Sequence, residues 1–246
     1  SPIRDTLGPE FRGYYYGPLT MIGYSPSLLW PVSGYKIAGV FYLLATAVLL
    51  GWRVWEPDDD PALKFANIAF VLAAYFLPER MWVELFSRGA HDFMPTALVL
   101  GALLAIKKNN FFAAGLLAGL SFSTKFAPAL FLLPFLPIRR KNMWIGFALG
   151  LLPQVPFLLW DLQGFINNVY LVRFFMPSDQ SSLRYYLKPE HYWWLPAALA
   201  VAMTIAAYRN LRRPLGYGTV LIGFALVMIV GEVTFIDRDP LGDYNT

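Results

Sequence analysis

Uncharged apolar runs separated by short charged breaks set the pattern of this chain: Ile37–Trp52, Phe65–Pro78, Phe93–Ile106, Asn109–Thr124, Phe126–Ile138, Asn142–Trp160, Tyr192–Tyr208 and Pro214–Gly231. An earlier run, Tyr14–Tyr35, is apolar too but is interrupted by Pro18, Pro26 and Pro31. Runs of this kind predict helices. A straight helix needs ~20 apolar residues to cross a bilayer, and several of these runs are shorter. Backbone that stops partway through a bilayer must be covered by protein or must line a wet cavity, because lipid cannot satisfy its N–H and C=O groups. The pattern therefore predicts an all-α, polytopic integral membrane protein with short broken or re-entrant helices around a cavity.

Composition points the same way. Of 246 residues, 57% are hydrophobic and 15% charged, with a mean hydropathy of +0.47. Soluble domains carry roughly 45–50% apolar and ~25% charged residues, so a water-soluble globule is excluded. Dividing the length by ~20 residues per crossing leaves room for about eight segments and no large soluble domain, so residues 1–246 are expected to form a single transmembrane domain. Cys is absent, which removes disulfides, thiolate metal sites and a cysteine nucleophile. The two His argue against a His-rich metal centre. No metal or cofactor is expected, although the carboxylates could hold a divalent cation. The net charge of +4 and pI near 9.2 fit cytoplasmic loops rather than nucleic acid, because Lys and Arg gather on the inner side of membrane proteins.

Three compact basic clusters then fix a topology: Lys107-Lys108, Arg139-Arg140-Lys141, and Arg209 with Arg212-Arg213. All three are expected inside. Asn109–Ile138, split at Ser123-Thr124-Lys125, then enters from the cytoplasm, turns and returns. Asn142–Trp160 leads out, residues 161–191 form a long external loop, Tyr192–Tyr208 leads back, and the last run leads out to an external tail, 237–246. Glu56–Asp60 is acidic and is placed outside, so Phe65–Asp92 becomes an outside-to-outside hairpin broken near Pro78. Residues 1–17 read as the end of an external loop. Because Ser1 is not an initiator Met, a further N-terminal segment is expected.

Candidate chemistry lies mostly on the external side. Asp92, beside His91 in Arg88-Gly89-Ala90-His91-Asp92, could act as a base, bind a cation or orient a sugar hydroxyl; equally, it could cap the helix from Phe93. Lys125 follows Ala114-Gly115-Leu116-Leu117-Ala118-Gly119, whose small residues permit close helix approach. An ionisable group at depth marks a substrate path or an ion pair, so Lys125 is a candidate for a lipid phosphate, with snorkelling to water as the alternative. Arg173 and Arg184, interleaved with aromatics on the long loop, suit a phosphodiester above a lipid tail. The aromatics there, Tyr185, Tyr186, Trp193 and Trp194, also fit an interfacial belt. Glu232 and the acidic tail residues Asp237, Asp239 and Asp243 complete the polar set. Nothing reads as a phosphate-binding glycine loop, a zinc helix or a nucleophile elbow.

Taken in order, these pieces resemble the GT-C superfamily of polyprenyl-phosphate-dependent glycosyltransferases, and within it glycosyltransferase family 87. Tyr16-Gly17-Pro18-Leu19 is similar to the family's Tyr-Pro-Pro-Leu segment, with Gly17 in place of the first Pro. Gly89-Ala90-His91-Asp92 resembles a Gly-Gln-x-Asn/Asp element. Ala114–Gly119 through Thr124-Lys125 and Pro128 is similar to an Ala-Gly-x-x-x-Gly…Thr-Lys…Pro hairpin, and Asp179-Gln180-Ser181-Ser182-Leu183 to an Asn-Gln-Ser-Leu loop.

The resemblance covers nearly the whole chain and implies a GT-C-like bundle in the cell membrane. It implies an inverting transferase that moves a sugar, mannose or arabinose in type, from a polyprenyl-phosphate sugar to an extracytoplasmic acceptor. Lys125, Arg173 and Arg184 would hold the donor phosphate, and Tyr16, Arg88, His91, Asp92 and Gln180 would line the sugar or acceptor side. The family's base is a carboxylate on the first external loop; no residue here matches it, which leaves Asp92, Asp5 and Glu10 as candidates. A non-catalytic subunit with a partner chain and a lipid or solute transporter are the alternatives.

Overall fold

The computed structural model describes residues 17–25, 29, 34–54, 60–76, 93–171 and 194–235. Among them there is no strand; every regular element is helical. In chain order these are α1 (Pro18–Tyr24), α2 (Gly34–Val54), α3 (Pro61–Phe76), α4 (Phe93–Lys107), α5 (Phe111–Thr124), α6 (Phe126–Leu132), α7 (Lys141–Gly150), α8 (Val155–Trp160), α9 (Leu162–Phe165), α10 (Trp194–Arg212) and α11 (Tyr217–Phe235). Short 3₁₀ turns, Leu133–Phe135 and Leu152–Gln154, follow α6 and α7, and a π-helical turn, Ile166–Leu171, follows α9. Each of the eight apolar runs is thus helical over most of its length. The run Lys141–Trp160 is long and apolar enough to cross a membrane by length and composition, whereas α4 and α5 are shorter apolar helices.

The chain divides into two units. The first comprises residues 16–129 and 141–155. Its centre is a tight α4–α5 hairpin. Asn109 adopts a left-handed φ of 55°, the Asn110 amide bonds to the Ala105 carbonyl and the Asn109 amide to that of Ile106. This closes α4 with a left-handed cap, for which Asn is one of the few suitable residues. Asn110 then caps α5, its side chain accepting from the Ala113 amide at 3.1 Å. One asparagine ends a helix and the next begins another, so the connection needs no further residues.

Against α5 lies α7, and glycines on both helices face each other. A Cβ on Gly115 would overlap the Met143 carbonyl, one on Gly119 that of Phe147, one on Gly146 that of Phe112 and one on Gly150 that of Leu116. Rising positions on α5 meet rising positions on α7, so the two helices run parallel, backbone against backbone. Ala114 and Ala118 are completely buried on α5, and Ser121 and Ser123 extend the stripe of small residues. Backbones this close gain dispersion contacts that larger side chains would forbid. Phe122, Phe147 and Trp144 flank the seam with edge-on ring contacts.

Two more helices complete this unit. Leu43 of α2 packs with Phe93 at the start of α4, and Trp52 lies under Lys108 just past its end, so α2 runs parallel to α4. Asp60 caps α3, accepting from the Ala62 amide at 2.8 Å. Gly51 faces Ile68, and Phe76 reaches the Leu43–Phe93 cluster, so α3 returns antiparallel to α2. The end of α2 and the start of α3 therefore both lie at the Lys107-Lys108 end. Asp60 thus stands at the lysine end rather than opposite the basic clusters, which corrects the expectation for Glu56–Asp60, and α3 runs from there toward the Phe93 end; residues 56–59 and the expected Phe65–Asp92 hairpin beyond Phe76 lie outside the described residues. Acidic residues carry little topological information, which is why that expectation failed.

The second unit contains residues 130–140 and 156–246. Here the buried Asn210 of α10 donates its side-chain amide to the carbonyls of Pro134, at 3.2 Å, and Leu136. The Leu136 carbonyl also accepts from the Ile138 amide at 2.7 Å, so Asn210 adds a second donor there and ties α10 to the end of the 3₁₀ turn. Phe135 and Phe131 lie against Gly223 and Gly231 of α11, and Phe135 meets Phe224 edge-on. Asp161 caps α9 through the Gly164 amide at 2.8 Å, so the stretch expected as loop from residue 161 begins as helix.

The basic clusters sort accordingly. Lys141 begins α7 beside the start of α5, so it shares an end of the first unit with Lys107-Lys108. Through Asn210, the Arg209–Arg213 cluster shares an end of the second unit with the segment leading to Arg139-Arg140.

Candidate functional site

At the opposite end of the first unit, α5 stops at Thr124, and Lys125 turns the chain with an extended backbone, φ −147° and ψ 116°. Several of the groups at the break are met locally. The Lys125 amide donates to the Ser121 carbonyl at 2.9 Å, and the Thr124 hydroxyl to the same carbonyl at 2.6 Å. The Ser123 hydroxyl donates to the Gly150 carbonyl at 2.8 Å and accepts from the Gln154 side-chain amide at 3.1 Å. The Thr124 carbonyl accepts twice, from the Gly17 amide at 2.6 Å and from the Thr20 hydroxyl at 3.2 Å. Satisfied in this way, a helix end can stand in apolar surroundings.

The break also gathers segments that lie far apart in sequence. Gly17 opens α1, and a Cβ there would overlap the Ser123 carbonyl oxygen, so this contact requires glycine. Further along α1, the Tyr42 hydroxyl donates to the Gly23 carbonyl at 3.0 Å, and the Tyr24 and Tyr42 rings meet at 5.4 Å. From α4, the Pro95 carbonyl accepts from the Ser121 hydroxyl at 3.4 Å. Thus Gly17 and α1, the start of α4, and the Gly115–Lys125 element converge on one point.

Thr20, Ser121, Ser123, Thr124 and Gln154 are all buried here. Each hydroxyl spends its proton on a backbone carbonyl, so this set builds the break and none of it is poised as a nucleophile. The group that can act electrostatically is Lys125, half-buried at the C-terminus of α5, where a cation also offsets the helix dipole. Lys36, near the start of α2 and two turns before Leu43, lies toward this end as well. Sequence reasoning passed over it because it borders the run at Ile37. Ser123's link to Gln154 was missed too, since a lone Gln after an apolar run carries no signal. The Gly146/Gly150 spacing was legible and repeats that of Gly115/Gly119.

The other candidates lie outside the described residues: Asp5, Glu10, Tyr16, Arg88, His91, Asp92, Arg173, Gln180, Arg184 and the tail carboxylates, as does the side chain of Glu232. Among the described residues, no three His, Asp or Glu come together as a metal site.

The model of the family described as glycosyltransferase family 87 matches residues 14–235, from the segment entering α1 to the end of α11. Neither a curated protein nor a solved structure gives a significant match to the chain.

Proposed function

The chain belongs to glycosyltransferase family 87, and from that premise we propose that it is a multi-pass protein of the cell membrane that moves a mannose-like or arabinose-like sugar from a polyprenyl phosphate to an extracytoplasmic acceptor, with inversion. The observation that carries this reading is the position of Lys125. It sits at a helix break, at the end of its unit remote from Lys107-Lys108 and Lys141. With those lysines inside, the positive-inside rule puts the break toward the outer face. The 14 residues of α5 rise about 21 Å, less than the ~30 Å hydrocarbon thickness, which supports a position for Lys125 below the outer surface, within reach of a lipid phosphate.

In the proposed reaction the acceptor oxygen forms a bond to the anomeric carbon while the bond from that carbon to the phosphate oxygen breaks on the opposite face. The departing phosphate keeps the electron pair and gains negative charge, and Lys125, with Arg173 and Arg184, meets that charge as it develops. A carboxylate takes the acceptor's proton; Asp92, Asp5 and Glu10 are the candidates in this chain. Tyr16, Arg88, His91 and Gln180 would hold the sugar or the acceptor.

The test is transfer of radiolabelled sugar from a polyprenyl-phosphate donor by the protein in lipid vesicles. Lys125→Ala is expected to lower turnover roughly 10²-fold, as loss of one charge-stabilising donor does elsewhere, with Lys125→Arg retaining more. Unchanged turnover when Lys125 and Arg173 are both replaced by Ala overturns the mechanism. Transfer that appears only when a second chain copurifies, and that does not respond to these substitutions, would instead make this chain a non-catalytic subunit.

A further inference from the structure

Away from the break, α2 and α3 leave between them an open apolar groove of about 440 Å³, lined by Leu44, Val48, Gly51, Trp52, Ile68 and Phe76 among others. Gly51 adds no side chain to its wall; a Cβ there would stand 4.0 Å from Ile68 and meet nothing nearer. Val48 and Trp52 are exposed along it. One end, at Phe76, closes against the Leu43–Phe93 cluster. The other is marked by a charge, since the Lys108 ammonium lies 3.7 Å above the centre of the Trp52 ring.

An ammonium carries three N–H donors, and a ring face takes up only one side of it. The remaining donors can bind a phosphate seated at the mouth of the groove. Asp60 stands near this end as well, where it caps α3 through the Ala62 amide. A long apolar slot ending in a cation is complementary to an amphiphile with an apolar chain and an anionic head. Because this end carries Lys107, Lys108 and Lys141, such a molecule would belong to the inner leaflet, whose surface is anionic.

We propose that the groove between α2 and α3 binds an anionic phospholipid of the cytoplasmic leaflet, with one acyl chain along Gly51 and the phosphate on Lys108. The inference rests on the membrane reading above but not on catalysis at Lys125, and the two fail separately. The full chain is reconstituted in bilayers of phosphatidylcholine containing graded fractions of phosphatidylglycerol, and the lipids it retains are counted by native mass spectrometry. Phosphatidylglycerol is expected to be retained over phosphatidylcholine by roughly fivefold, the preference one lysine supplies at an anionic surface. Lys108→Gln, an exposed change, is expected to abolish the preference while leaving chain binding intact. Gly51→Leu, which fills the groove, is expected to abolish retention of both lipids.

Equal retention of the two lipids by the unaltered protein overturns the proposal. So does a preference that survives Lys108→Gln, or displacement of phosphatidylglycerol by polyprenyl phosphate. Sugar transfer measured on the same preparations separates the two readings: transfer without lipid selectivity removes only the lipid site, and selectivity without transfer removes only the sugar-transfer reading.

Discussion

The Gly17 amide donates to the Thr124 carbonyl at 2.6 Å, joining the first described residue of the chain to the last residue of α5. The space for this contact comes from the missing side chain, because a Cβ on Gly17 would overlap the Ser123 carbonyl oxygen. Gly17→Ala should therefore push α1 off the break and strip the Thr124 carbonyl of both its donors. A loss of about 1–3 kcal/mol is expected, the usual cost of overfilling a packed site. Thermal unfolding in detergent measures it; an unchanged midpoint would show that α1 is not docked there.

The α5–α7 seam is tested by contrast. Gly119→Ala and Gly146→Ala each put a methyl into the partner's backbone, which cannot move aside as a side chain could. Each should cost about 1–3 kcal/mol and broaden or lower the unfolding transition. Gly218 in α11 has nothing within 4 Å of a built Cβ, and its replacement by Ala should shift stability by no more than about 0.5 kcal/mol. Similar effects at all three positions would mean that the glycines do not mark a close helix contact.

Ser123 and Gln154 form one relay, ending on the Gly150 carbonyl. Ser123→Ala removes both the acceptor for Gln154 and the donor to Gly150, and should cost about 1–3 kcal/mol. Gln154→Leu should cost less after Ser123→Ala than before it. A double-mutant cycle should return a coupling of roughly 0.5–3 kcal/mol, and additivity would mean that the two side chains do not interact in solution.

Asn210 distinguishes donation from size. Its amide serves the Pro134 and Leu136 carbonyls, so Asn210→Ala should destabilise the second unit by about 1–3 kcal/mol. Asn210→Asp, nearly the same shape, should be worse than Ala at neutral pH, since it aims a buried negative oxygen at two carbonyl oxygens. Chemical unfolding of the three proteins under one condition gives the order.

Much of this architecture could be read from residue pattern because apolar runs and helices answer to the same requirement, the satisfaction of backbone groups within the segment. Ile37–Trp52 and Phe93–Ile106 fall inside helices, and Pro214–Gly231 is helical from Tyr217, for that reason. The break at Ser123-Thr124-Lys125 was visible as polar residues between two apolar runs. What closes it was not, since Gly17, Pro95 and Gln154 are brought to it by packing and none has a local signature. The direction of α3 was misread because the acidic stretch ending at Asp60 was treated as a topological marker, while Asp60 is a helix cap. Asn210, beside Arg209, reads as part of a solvated basic end; only the fold shows that it faces the carbonyls of another segment.

The parallel pairing of α5 and α7 constrains how the chain is made. The glycine face of α5 is complete once Gly119 has been synthesised, but its partner surface does not exist until Gly150 has followed. In that interval the α4–α5 hairpin carries an uncovered strip of bare backbone, able to dock against any helix with small residues at the same spacing. Order of synthesis, as much as final packing, thus decides which helix fills the strip, and the chain between Lys125 and Lys141 sets how long it stays open.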